Sequence, residues 1–143
     1  MSIMRLEIVT AEKIIYSDEV SSVVAPGTAG QLGILPNHAP LLTSLKPGEL
    51  RILKEDKEVN IAVSGGFLEV LQNVVTVLAD TAERAEDIDV ERAQDALKRA
   101  QDKVNSSDSD LDLEKAIQSL KRSKARVYVS KRKRSSASRT KVK

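Results

Sequence analysis

The chain has 143 residues and a mass of 15.6 kDa, with 41% apolar and 31% charged residues, the composition of one globular domain or two small ones rather than of a disordered chain. It has no cysteine and one histidine, His38, which excludes disulfides, zinc ribbons and thiol chemistry and makes a histidine-rich metal site or a Ser-His-Asp triad hard to build. No apolar run approaches the ~18 residues of a membrane span, and Glu7 stands where a signal peptide would be apolar, so the expectation is a cytoplasmic chain or one docked on a membrane machine by other proteins.

The first part of the chain reads as β. Short β-branched runs recur between turn signals at Arg5–Val9, Val20–Ala25, Leu50–Leu53, Val59–Val63 and Val74–Leu78. Val59, Ile61 and Val63 alternate with Asn60 and Ala62, which predicts a strand with one face buried. Glu55–Lys57 and Gln72–Asn73 read as turns between such runs. All six glycines lie before residue 67 and all four prolines before residue 48. Both residue types shape turns and break helices, so the folding regime changes near Asp80–Glu86. Many short strands with frequent turns predict a sandwich or barrel, and with only Tyr16, Phe67 and Tyr128 as aromatics its core is expected to be aliphatic.

The second part reads as two helices. Asp89 suits an N-cap, and Ala93, Ala96, Leu97, Ala100 and Val104 follow at helical spacing. Asn105–Asp110 is a run of side chains that compete with helical hydrogen bonds. Asp112 is the expected cap of a second helix, whose apolar stripe is Leu113, Ala116, Ile117, Leu120 and Val127. Two amphipathic helices joined by a short loop make an antiparallel hairpin. Alanine buries little surface, so the hairpin is expected to be marginal and able to undock. From Ser130 to Lys143 there are seven basic residues and no acid, which leaves a net charge of −5 on the first 129 residues. This basic, serine-rich stretch is expected to be a disordered tail.

No phosphate loop is present, and Gly27-Thr28-Ala29-Gly30-Gln31-Leu32-Gly33 is not followed by a helix, which argues against a dinucleotide site. His38 lies between Pro36 and Pro40, where a loop position favours contact over core packing. On the helices, Arg92 and Arg99 share one face, and Lys115, Arg122 and Arg126 share another. Folded as a hairpin, these cations could converge on one polyanion, since guanidinium forks suit phosphate oxygens. The alternative is a solvated face pairing with Asp95, Asp102 and Glu114.

Three longer motifs carry more. Gln31-Leu32-Gly33-Ile34-Leu35-Pro36-Asn37-His38-Ala39-Pro40-Leu41-Leu42-Thr43 with Lys46-Pro47-Gly48, then Ser64-Gly65-Gly66-Phe67-Leu68-Glu69-Val70, then Val75-Thr76-Val77-Leu78-Ala79-Asp80-Thr81-Ala82, stand in this order along the chain. From about Met4 to Val129 the sequence resembles the epsilon subunit of the bacterial F-type ATP synthase. The resemblance implies a segregated α+β chain: a ten-stranded β-sandwich over 1–82 that binds the rotor, and a two-helix regulatory hairpin over 83–129, with the tail 130–143 outside it. It implies a non-catalytic central-stalk subunit. The sandwich would bind the gamma subunit and the proton-driven ring of c subunits, with Gly30, Gln31 and His38 facing the ring. The hairpin would extend toward the alpha and beta subunits of the catalytic head and block ATP hydrolysis with a basic face at Arg122 and Arg126. The complex would sit at the cytoplasmic face of the bacterial plasma membrane, with this chain peripheral to it.

Ile88-Asp89-Val90-Glu91-Arg92-Ala93 is similar to the I/L-D-x-x-R-A motif with which a subset of these subunits binds ATP. That similarity implies a regulatory ATP site made of Glu83, Ile88, Asp89, Arg92, Ala93, Arg99, Lys115, Arg122 and Arg126, with no cofactor required and no metal ligand set. Lys115 keeps the charge of a family arginine without its two-pronged geometry. A competing reading is a nucleic-acid-binding module led by the basic tail. The acidic body and the lack of aromatics for base stacking stand against it, so no nucleic acid is expected as a partner.

Overall fold

The computed structural model describes residues 2–141, and the side chains of residues 2–132. Ten strands come first: β1 (Met4–Val9), β2 (Ile14–Val20), β3 (Ser22–Gly27), β4 (Gly30–Ile34), β5 (Leu41–Leu45), β6 (Gly48–Lys54), β7 (Lys57–Val63), β8 (Gly66–Leu71), β9 (Val74–Ala79) and β10 (Ala82–Arg84). A 3-10 turn, Ala85–Asp87, leads to α1 (Val90–Ser106) and α2 (Asp110–Lys141). The turns expected from sequence are real. Gln72 and Asn73 both have positive φ, the conformation a two-residue hairpin requires, and Glu55 does the same between β6 and β7. The Val20–Ala25 run is split at Ser21, where β2 ends and β3 begins.

The sheet runs β10-β7-β6-β3 and continues β5-β8-β9-β1-β2, with β4 paired to β3. The two halves meet through one pair, Gly27 with Leu45, and face each other as the layers of a sandwich. All pairings are antiparallel except that of β1 with β9. β2, one edge of the sheet, is also tied to β6, which nearly closes a barrel: just after β2, Ser21 Oγ donates to Leu53 O at 2.9 Å, and Lys54 Nζ donates to the Asp18 carboxylate. Alternation along each strand supplies the core. Leu6 and Ile8, Leu50 and Ile52, Ile61 and Val63, Leu68 and Val70, and Val75 and Val77 all point inward. Each such side chain contributes about 1.5–3 kcal/mol on burial. The core is aliphatic with one exception, Tyr16, whose phenol is buried against it and pushed up in pKa by that burial.

The hairpin folds back on the outer face of β7. Ala62 was expected to face solvent but is buried there, in a cluster with Ala85, Ile88, Ala93, Val127 and Val129. The strand is therefore covered on both faces at its end. α2 also departs from expectation at both termini. Its cap is Ser109, whose Oγ accepts from Asp112 N at 3.2 Å, so Asp112 lies in the first turn instead. The helix continues to Lys141, so residues 130–141 are helical and not a disordered tail. Packing explains the start of that continuation: Ser130 is fully buried and its hydroxyl donates to Val127 O at 2.6 Å. The side chains of the basic stretch beyond Arg132, and residues 142–143, lie outside the described residues.

Gly66 is held at φ +129°, and a Cβ there would lie 2.0 Å from Leu78 O. Gly33→Ala meets nothing within 4 Å. In urea unfolding, Gly66→Ala is expected to cost about 2–4 kcal/mol and Gly33→Ala less than about 0.5 kcal/mol. Equal costs would contradict the close approach of β8 to β9.

The hydrogen bond from Lys54 holds the Asp18 carboxyl below the usual carboxylate range. A depressed carboxylate contributes stability above its unfolded pKa and loses it as pH falls through the folded value. The tie between β2 and β6 is thus present at neutral pH and lost only in acid. Carboxyl NMR titration is expected to place Asp18 below about 3.9, and Lys54→Ala to raise it.

Candidate functional site

The site sits where the sandwich hands over to the hairpin. β10 pairs with the end of β7, Glu83 opposite Ala62 and Arg84 opposite Ile61. Successive side chains on a strand point to opposite sides, and here the two charges separate accordingly. Arg84 reaches β2: its guanidinium lies 5.4 Å from the Tyr16 ring centroid and donates to Ile15 O at 3.1 Å. Glu83 turns to α2, where Arg126 Nε donates to Oε2 at 2.8 Å and an Nη donates to Oε1 at 3.2 Å. Both partners are about one-third exposed, and the two-bond geometry fixes the helix against the strand.

Past the 3-10 turn, Ile88 is buried in the seam and Asp89 caps α1, its carboxylate accepting from Arg92 N at 3.1 Å. Ala93, one turn in, is fully buried and lets α1 approach closely. A cleft of about 220 Å³ opens between strand and helix, lined by Glu83, Arg122, Arg126, Ser64, Thr81 and Ser119, among others. A second cleft of about 490 Å³ lies toward the helix–helix loop and takes in Lys115 and Arg122 with Asp112 and Lys103. Arg122 borders both. The structure thus brings Glu83, Arg122 and Arg126 together, with Lys115 in the adjoining cleft. Arg92 and Arg99 lie exposed on α1 and line neither cleft. The solvated-face pairs with Asp95, Asp102 or Glu114 do not form among the described residues.

The loop residues singled out from sequence lie elsewhere on the sandwich. Gly30, at φ +133°, and exposed Gln31 follow the β3–β4 turn. His38 is half-buried in the loop between β4 and β5, its Nδ1 2.7 Å from Ala39 O. Asn73 holds that loop: its Oδ1 accepts from Asn37 N at 2.9 Å while its Nδ2 donates to Ile3 O at 2.9 Å. Sequence reasoning missed one surface. Leu42, Phe67 and Leu78 are 71%, 56% and 55% exposed on the outward face of β5, β8 and β9, with Phe67 directly opposite Leu78. Strict alternation through Leu68 and Val70 already places Phe67 outside the core, which was the available signal.

The chain is a ten-stranded sandwich, antiparallel but for β1 with β9, that presents an apolar face and carries a salt-bridged helical arm, with no catalytic constellation among the described residues, which is the form of a binding module. Residues 3–85 match the family model described as the ATP synthase delta/epsilon chain β-sandwich domain, and residues 86–131 match the long α-helix domain of the same chain. The chain belongs to this family, among the epsilon subunits of the F-type ATP synthase. It is 57% identical over 106 residues to the ATP synthase epsilon chain of Desulforamulus reducens, 74% of this chain and 80% of that one. It is 54% identical over 132 residues to that of Brevibacillus brevis, 92% of this chain and all of the relative. In structure it resembles a chain of the Euglena gracilis mitochondrial ATP synthase, in an assembly of OSCP, F1 and c-ring, with TM-score 0.78, 25% identity and coverage of 87% and 79%. A chain from the central stalk and c-ring of the Tetrahymena thermophila mitochondrial enzyme shares the fold, with TM-score 0.62, 21% identity and coverage of 90% and 94%. As an epsilon subunit the chain is a non-catalytic part of the synthase. No described helix is long and apolar enough to cross a membrane.

Asp89→Ala removes the cap from α1 and is expected to cost about 1 kcal/mol of helix stability. Hydrogen exchange at the Arg92 amide will report it as roughly a fivefold loss of protection. Unchanged protection would show that the carboxylate does not hold the helix start.

Proposed function

We propose that this chain is a central-stalk rotor subunit whose sandwich joins a gamma-type subunit to the c-ring and whose hairpin restrains ATP hydrolysis in the catalytic head, biased by bound ATP. The architecture of its structural relatives supports the rotor half: one lies in an assembly with F1 and a c-ring, the other in a central stalk and c-ring. The Leu42, Phe67 and Leu78 face supports docking of the gamma subunit, since an exposed apolar patch on a sheet marks a protein interface. Gly30, Gln31 and His38 offer the ring polar and backbone contacts. Through these partners the chain is held peripherally at the cytoplasmic face of a bacterial plasma membrane.

The observation that carries the regulatory half is the convergence of Arg122 and Arg126 with Glu83 at the seam between hairpin and sandwich. Guanidinium groups on a helix that must stay docked to remain near their partner make a site whose occupancy depends on the fold of the arm. A ligand shifts such a two-state element only through differential affinity. A polyphosphate that also engages Arg92, Arg99 and Lys115 favours the folded hairpin, because the extended form separates the two helices. ATP at 100 times its dissociation constant favours the folded form by about 2.7 kcal/mol. When ATP falls, α2 is released and presents Arg122 and Arg126 to an acidic surface of the alpha and beta subunits. ATP acts here as a regulatory ligand, and no cofactor is needed.

Calorimetry on the full chain tests the ligand. The unmodified chain is expected to bind ATP, and Asp89→Ala, Arg92→Ala and Arg126→Ala to bind it more weakly and, in the assembled enzyme, to inhibit at higher ATP. No heat at millimolar nucleotide overturns the ATP site. Co-purification of the tagged chain with a gamma-type subunit and a c-ring tests the rotor half, and its absence overturns that half alone.

A further inference from the structure

α2 is tied to the sandwich at a second point, away from the arginine cleft. Arg132 Nε donates to Glu49 Oε2 at 2.9 Å, and an Nη donates to Oε1 at 3.0 Å. The Glu49 side chain, on β6, is only 9% exposed. The same Nη donates to Tyr128 Oη at 3.2 Å, and the guanidinium lies 5.2 Å from the centroid of that ring, one turn back on the helix. Tyr128 thereby helps hold the fork on the carboxylate. The hydrogen bonds to Glu49 raise Arg132 above its ordinary pKa. Neither Glu49 nor Arg132 lines the cleft at Glu83, and the match to the family's helix domain ends at residue 131.

Glu49 has other partners within the sandwich. Arg51 Nε lies 3.7 Å from Oε1, and Asn60 Nδ2 donates to Oε2 at 3.4 Å. When α2 departs, the carboxylate keeps a neighbouring cation and a donor and regains water, so release strands no buried charge. A two-pronged pair in the docked state and a substitute partner in the free state are the components of a reversible fastening. We propose that Glu49 and Arg132 form a releasable latch that sets the docked population of the hairpin, with Arg51 competing for the same carboxylate. This rests on the reading that the hairpin undocks. It adds a determinant of that equilibrium independent of the arginine cleft.

The chain lacks cysteine, so Asp56→Cys and Gln118→Cys place two spin labels at exposed sites on the full chain. Pulsed distance measurements then count docked and undocked hairpins. Arg132→Ala and Glu49→Gln are each expected to raise the undocked-to-docked ratio at least tenfold, which is about 1.4 kcal/mol. Arg132→Lys keeps the charge, loses the fork and is expected to fall between. Arg51→Gln removes the competitor and is expected to lower the ratio. If Arg126→Ala undocks the hairpin while Arg132→Ala and Glu49→Gln leave the ratio within twofold, the latch is wrong and the mobile hairpin stands. A population that stays docked in every variant, Arg126→Ala included, overturns both.

Discussion

The hairpin rests on small side chains. Ala62 on β7, Ala85 in the turn and Ala93 on α1 let backbone approach backbone, with Ile88, Val127 and Val129 filling the remaining space. Alanine removes little apolar area from water, so this footing is close-fitting without being strong. Directional strength is supplied by arginine at two carboxylates, Glu83 at the sandwich edge and Glu49 on β6. Such pairs are strong when both forks engage and exchange readily with water when they do not. A seam built this way is held by the direction of its ion pairs more than by buried area.

β10 joins the sandwich to the helical arm. It is three residues long, and its two charged side chains face opposite ways. Arg84 anchors the strand to the second layer through Tyr16 and Ile15 O, while Glu83 receives the helix. The contacts that anchor the strand to the sandwich and those that receive the helix thus lie on different faces of one strand.

Much of this was legible in the residues. Alternation gave the inward side chains of β7, β-branched runs located β1, β6 and β9, and the loss of glycine and proline after residue 66 marked the start of the helical part. The cap at Asp89 followed from residue type alone. Ala62 was misread because alternation reports a strand's two faces without saying that a distant helix covers the second. Ser109 and Asp112 compete for one role, and the spacing of polar residues in Asn105–Asp110 does not decide between them. Charge density alone marks the stretch after Val129 as disordered, whereas a buried Ser130 and a carboxylate eighty-three residues away hold its first turn. The arginine pattern on the helices was visible, but which cations meet depends on how the helices rotate against the sandwich. That placed Arg122 and Arg126 at the seam and left Arg92 and Arg99 outside it.

The one parallel pairing in the sheet has a consequence for how the chain is made. β1 lies beside β9, with Arg5 opposite Val74, so β1 gains this neighbour only after most of the sandwich has been synthesised. Non-local pairing of this kind is slow, since the loop must close before its contacts contribute. At about 5–20 residues per second of translation, the β1–β2 ribbon waits several seconds with that edge unpaired. The sandwich completes as β9 and then β10 emerge from the ribosome, and the hairpin, next in the chain, meets a finished surface on which to dock.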